Sequence, residues 1–310
     1  MGQELLRDWS ASHANSFGDE TLLLHHRLKD SGLFSRQALA ELIGNCSSEH
    51  YNLNTMGHDP EASEWREGVI GDASGEDVLA SIERGRIWLN LRGVEEIDPR
   101  YKTLLDEIFD EISARVPDFA PFKTKLGILV SSPKVQVYYH ADIPGQMLWH
   151  LEGTKRIYIY PTTDKFLSQQ DLEGIITGET EEDLPFDSIF DDEATIYHLQ
   201  PDQMLFWPLN SPHRVTNDDC INISVTTEHY TDDIRKSYAV NYANGILRRV
   251  LGLKHLSRSL TSPLVYPKAA FAMLWRTLKL NRSREIDLMV DFAIDTGSKT
   301  GIKDIPAYAK

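Results

Sequence analysis

Between Thr124 and Glu228 the apolar residues recur at every second position, in short runs separated by Pro, Gly, Asn and Asp. An alternation of period two gives a strand one apolar face, and a succession of such strands buries those faces only by folding over one another. The runs are Leu126–Ser131, Val135–Asp142, Gln146–Leu151, Lys155–Tyr160, Thr195–Leu199, Gln203–Trp207, Arg214–Asn217 and Ile221–Glu228. Strands this short and this closely spaced predict an antiparallel barrel or jelly roll. The chain therefore reads as mainly β, with helical segments on either side.

Those flanks carry the other period. The first 65 residues read as mostly helical: Thr21–Leu24 with Leu28 has helix-like spacing, and Ser35 is a plausible N-cap for Arg36–Ile43. Arg86–Leu91 alternates like a strand, and Tyr101–Val116 carries Leu104, Leu105, Ile108, Phe109 and Ile112 on one helical stripe. An insertion from Asp164 to Ala194, dense in carboxylates, interrupts the strands and reads as a lid or a disordered loop. Helix is expected again over Ile234–Leu251, Lys268–Leu280 and Ile286–Ile294. Residues 231–310 hold 14 Lys+Arg against 7 Asp+Glu, although the whole chain carries −15. This asymmetry divides the sequence into a core module, 1–230, and a C-terminal helical extension, 231–310.

The strand Val135–Asp142 concentrates the chemistry. Residues two apart on a strand share a face, so His140 and Asp142 are expected to project together. One imidazole and one carboxylate can occupy neighbouring sites on a metal ion, and His213, just after the apolar run Met204–Pro208, can supply a third. Two histidines and one carboxylate make the facial triad of non-haem Fe(II) oxygenases, whereas a hydrogen-bonded surface pair is the plainer reading of a single His-x-Asp. Downstream, Glu152-Gly153-Thr154 forms a turn and Lys155 enters an aromatic strand. Pointing inward, its ammonium needs an anionic partner; at the strand's end it reaches solvent.

Together these motifs resemble the cupin-like JmjC branch of 2-oxoglutarate oxygenases, the group that contains the asparaginyl hydroxylase of hypoxia-inducible factor. The likeness lies in His140-x-Asp142, in Gly153-x-Lys155-Arg156 before a strand ending at Pro161, and in Leu199–Pro208 leading to His213. It implies a double-stranded β-helix (cupin-like jelly-roll) core over about residues 85–230, with Fe(II) on His140, Asp142 and His213. It also implies that Lys155 binds the distal carboxylate of 2-oxoglutarate, with O2 as the second co-substrate. Trp88 and Asn90 fall on a strand that contacts the co-substrate in such enzymes, and Asn222 and Ser224 share a face of the last barrel strand. His150 is inward by parity, and is either a co-substrate contact or a packed, hydrogen-bonded core histidine. Asp202-Gln203 stands where the family frequently has Gly-Asp.

The expected function is Fe(II)- and 2-oxoglutarate-dependent hydroxylation of an unactivated C–H bond in a peptide, protein side chain or small molecule. Two rivals stand beside it: a non-catalytic cupin-fold binding or regulatory module, and a metal cupin that uses no co-substrate. The net charge of −15 opposes binding to bulk nucleic acid. No run of residues is long and apolar enough for a membrane span, and the N-terminus does not read as a secretory signal. Two isolated cysteines, Cys46 and Cys220, fit a reducing cytoplasm. The helix at Lys268–Leu280, with Phe271, Leu274 and Leu278, is either a homodimer face or packs within the chain.

Overall fold

The computed structural model describes residues 4–180, 182–280 and 289–309. Ahead of the barrel come α1 (Ala11–Ser16), β1 (Leu22–His25), α2 (Arg36–Asn45), β2 (Tyr51–Met56), β3 (Trp65–Val69), α3 (Gly75–Arg84), β4 (Ile87–Leu91), α4 (Val94–Ile97) and α5 (Pro99–Ser113). Then follow β5 (Phe122–Ser131), β6 (Gln136–His140), β7 (Gly145–Glu152), β8 (Lys155–Ile159), α6 (Gln169–Thr177), β9 (Thr195–Leu199), β10 (Gln203–Phe206), β11 (His213–Asn217) and β12 (Asn222–Tyr230). The chain continues with α7 (Asp232–Leu251), α8 (Val265–Thr277), β13 (Met289–Ile294) and β14 (Ile302–Ala309).

The eight strands β5–β12 form the expected double-stranded β-helix. Its larger face runs β10-β7-β12-β5 and its smaller face β6-β11-β8-β9, with antiparallel neighbours. Alternation along the larger face sorts the side chains. Leu126, Ile128, Val130, Met147, Trp149, Leu151, Ile223 and Val225 join the core that includes Leu104, Leu105, Ile108 and Ile112 of α5. Residues of the other parity, Leu148 and Leu205, meet Ile157, Ile159, Leu199 and Trp207 between the two sheets. Lys155, His150, Asn222 and Ser224, considered below, share the parity of this layer between the sheets.

Four local expectations change. Thr21–Leu24 was expected to be helical, but Leu22–His25 is a strand paired antiparallel with β10, so that Leu22 and Leu24 are buried against the helix-side core. An unpaired edge strand offers backbone groups that need partners, and that tertiary demand overrides a run of good helix formers. The mostly helical reading of the first 65 residues holds for α1 and α2, the latter capped by Ser35 Oγ, and fails for β2 and β3. The acidic insertion, less residue 181, is neither an open loop nor a lone lid. It contains α6, which packs on α7, and Leu184 N donates to Tyr139 O (2.9 Å) beside a bridge between Asp183 and His140. Arg214 holds its far end, paired with Asp191 and stacked 3.5 Å over the Tyr158 ring.

The fourth change concerns the C-terminal segment. Residues 286–288 of the helix expected at Ile286–Ile294 lie outside the described residues, and Met289–Ile294 is a strand. It pairs parallel with β3 and antiparallel with β14, extending the larger sheet to ten strands. Phe292 is fully buried, over Gly68, where a side-chain carbon would stand 2.2 Å from its ring. The helical reading of 231–310 thus holds for α7 and α8 and gives way to strands at 289–309. Among the described residues no helix is long and apolar enough to cross a membrane.

Candidate functional site

His140 closes β6 and His213 opens β11. The two are register partners across that antiparallel pair, which sets their rings 4.1 Å apart centre to centre. Each ring donates its Nδ1–H to a carbonyl two residues back, His140 to Tyr138 O (2.7 Å) and His213 to Ser211 O (3.0 Å). A carbonyl only accepts, so both Nε2 atoms are left bare and available as ligands. Trp207 packs against His213 at 4.6 Å.

Asp142 lies two residues beyond the end of β6 and not within it. Strand parity therefore does not place this carboxylate. Its position is held by Asn210 Nδ2, which donates to Asp142 O at 2.6 Å. Asp142 Oδ1 is 3.8 Å from His140 Nε2, and Oδ2 is 3.4 Å from His213 Nε2. One ligand atom from each of the three residues lies within 4.8 Å of the others. The carboxylate is buried, and Oδ2 has no hydrogen-bond partner among the described residues. Burial pushes the Asp142 carboxyl up to about 7, and burial together with the neighbouring His140 drives His213 well below its ordinary value. An orphaned, buried carboxylate oxygen between two bare imidazole nitrogens is a donor set that fits a divalent transition metal.

Lys155 stands at the start of β8, after the turn at Gly153, whose φ of +82° favours glycine. A side-chain carbon there would sit 2.1 Å from Ile221 O. Lys155 shares parity with Ile157 and Ile159 and points between the sheets, while Arg156 takes the opposite side, 3.8 Å from Asp218. Lys155 is 4% exposed, and its amine donates to Ser224 Oγ at 2.9 Å. Burial pushes it down to about 7, opposed by Cys220. A buried cation with one neutral partner suits an anionic ligand.

The other expected residues share the inner face of the larger sheet. Ser224 and His150 are paired across β12 and β7, and Ser224 Oγ lies 2.9 Å from His150 Nδ1. Asn222 is fully buried, its Nδ2 donating to Cys220 O (3.0 Å) and its Oδ1 without a partner among the described residues. Trp88 and Asn90 lie on β4, half-buried, on the face opposite the helix-side core formed by Ile87, Leu89 and Leu91. Trp88 packs with Trp65 (5.6 Å), and Trp65 with Tyr138 (4.9 Å).

Several neighbours escape sequence reasoning. Trp65 Nε1 donates to Asp183 Oδ2 at 2.6 Å, which ties the insertion to the aromatic cluster beside His140. His26 Nε2 donates to His150 O at 3.1 Å from a segment that reads as helix. The density of acids in the insertion hinted at the first, and nothing local marked the second or Asn210. A separate cavity of about 750 Å³, lined by Asp164, Ser168, Arg248 and His255 among others, contains none of the triad.

Comparison with known proteins adds a fold relationship. No family model matches the chain, and no curated protein matches it in sequence. Among solved structures, E. coli ycfD is 18% identical with a TM-score of 0.52, over 92% of this chain and 70% of that one. A structure described as YcfD, a ribosomal oxygenase from Escherichia coli, in complex with cobalt and 2-oxoglutarate, is 16% identical with a TM-score of 0.50, over 91% and 69%. These likenesses lend no weight to the asparaginyl-hydroxylase branch in particular. At such identity they establish shared architecture: the chain has the double-stranded β-helix fold of YcfD.

Proposed function

We propose that the chain is an Fe(II)- and 2-oxoglutarate-dependent oxygenase of JmjC type that hydroxylates a C–H bond. The observation that carries this reading is the convergence of His140, Asp142 and His213 around an orphaned buried carboxylate oxygen, with the buried Lys155 amine in the same intersheet space. The ligands named for YcfD, a transition metal and a keto-dicarboxylate, match this pair of features in charge and donor type. Metal and keto acid together, when bound, would let O2 serve as the oxidant, chemistry that no side chain supplies.

The residues supply the rest. His140 and His213 present bare Nε2 atoms because their Nδ1–H groups are held by carbonyls. Asp142 completes a three-ligand set that leaves coordination positions open. Lys155 would anchor the distal carboxylate, and Ser224, Asn222, Asn90 and Trp88, with His150 hydrogen-bonded to Ser224, share the inner face of the larger sheet that would receive the co-substrate. Leu148, Leu205 and Trp207 keep water from that space.

Charge narrows the primary substrate. Glu182 and Glu228 both act on Asp142, raising its carboxyl. A peptide, protein side chain or small molecule presenting a cationic group fits this surround better than a polyanion. We also take the chain to be cytoplasmic, in keeping with its two free cysteines, and homodimeric through α8 and the residue that follows it, where Met273, Leu274 and Leu278 are exposed.

Succinate release from 2-oxoglutarate, with Fe(II) and a library of basic peptides, tests the activity. Calorimetry with Mn(II) tests the site. Expected are metal binding that His213→Ala abolishes and 2-oxoglutarate binding that Lys155→Ala abolishes. Metal binding with no affinity for 2-oxoglutarate would leave a metal cupin; binding of both without turnover of any substrate would leave a regulatory module.

A further inference from the structure

His150 is fully buried, and each ring nitrogen faces one group. Nε2 lies 2.9 Å from Gly153 O, and Nδ1 lies 2.9 Å from Ser224 Oγ. The carbonyl can only accept, so Nε2 carries the proton and Nδ1 is an acceptor. Burial and the adjacent Lys155 charge push the ring down to about 3, which keeps it in this neutral form. The Ser224 hydroxyl proton is therefore directed to His150, and its lone pair faces Lys155 Nζ at 2.9 Å. The resulting chain has one sense: ammonium to serine, serine to histidine, histidine to the Gly153 carbonyl.

Resting on the oxygenase reading, we infer that His150 is a positioning residue for the co-substrate's distal carboxylate, acting through Ser224 and not by contact. By fixing the Ser224 hydroxyl, it gives Lys155 one directed hydrogen bond and leaves the other two ammonium protons for an anion. Without Nδ1, the hydroxyl is free to rotate its proton towards the ammonium, and the lysine loses its only hydrogen-bonded anchor among the described residues. Among the described residues the elements paired around Lys155 bring no carboxylate to it: β7 brings His150, β12 Ser224 and Asn222, β11 Asn217 and β9 Leu199 opposite in register, and Cys220 is the group that acts on its charge.

The test begins in the metal-free protein, where ¹⁵N shifts of the His150 ring should show Nε2–H; an Nδ1–H ring overturns the chain of hydrogen bonds outright. Affinity for 2-oxoglutarate is then measured on the Mn(II)-loaded protein by calorimetry. His150→Leu and Ser224→Ala should each weaken it by about tenfold, the scale of one hydrogen bond to a charged group. The double variant should be no weaker than Ser224→Ala, because both changes cut the same link. His150→Asn, which keeps an acceptor near the Nδ1 position, should restore most of the loss. Unaltered Mn(II) affinity in each variant reports that the fold is intact. Equal affinity in wild type and His150→Leu overturns the inference alone. A wild type with no affinity for 2-oxoglutarate overturns the oxygenase reading, and the positioning role with it.

Discussion

At the residue scale, the strongest constraint is a buried amine with no carboxylate hydrogen-bonded to it among the described residues. Lys155 is buried among Ile157, Ile159, Ser224 and His150, and burial holds its amine near 7 against an ordinary 10.5. Between those two values the unfolded chain binds more protons at this amine than the folded one, so stability rises with pH across that window. Below about pH 7 the full cost of burying the ammonium is present. Lys155→Met should therefore be more stable than wild type at neutral pH, and the gap should close towards pH 10.5 by up to about 1.4 kcal/mol per pH unit. Urea titrations of both proteins at several pH values measure this, and a gap that does not change with pH would contradict it. Asp202 has a φ of +69°, a conformation that glycine adopts easily and aspartate tolerates, so the turn forms here without a glycine.

At the element scale, the sheet decides what its neighbours become. β1 is a strand because β10 needs a partner, and β13 is a strand because β3 does. The second pairing is locked by Phe292 over Gly68. Phe292→Ala should cost about 3–5 kcal/mol in urea unfolding, the range for emptying an aromatic site in a core. Hydrogen exchange should quicken in the amides of β3 more than in those of β7, since only β3 loses its partner. Uniform quickening would mean that β13 is part of the global core and not a local clasp. The insertion follows the same rule, because Arg214, Asp191 and the Asp183–His140 bridge fasten it to the smaller sheet.

At the scale of the whole molecule, α8 leaves apolar surface uncovered. Phe271, Ala272 and Trp275 pack in the cluster of α6 and α7, so Phe271 does not belong to the proposed dimer face. Met273, Leu274 and Leu278 are 69%, 58% and 56% exposed, with Tyr266 and Leu264 nearby in sequence also exposed. Exposed apolar patches of this kind are commonly covered by another chain. Sedimentation equilibrium should find a dimer that Leu274→Asp with Leu278→Asp converts to a monomer, with metal affinity unchanged. A wild type that sediments as a monomer at all concentrations would remove the dimer from the proposal.

The sequence alone determined the barrel, because period-two alternation is a local property and eight successive strands have few ways to bury one face each. It also made the candidate residues His140, Asp142, Lys155 and His213 legible as letters and spacings. Tertiary structure decided the rest: the side-by-side placement of His140 and His213, which depends on strand register; the setting of Asp142, which depends on Asn210 from a distant turn; and the conversion of expected helices into strands at residues 22–25 and 289–294. Those outcomes turn on backbone groups finding partners far away in the chain, and no short window of residues contains that information.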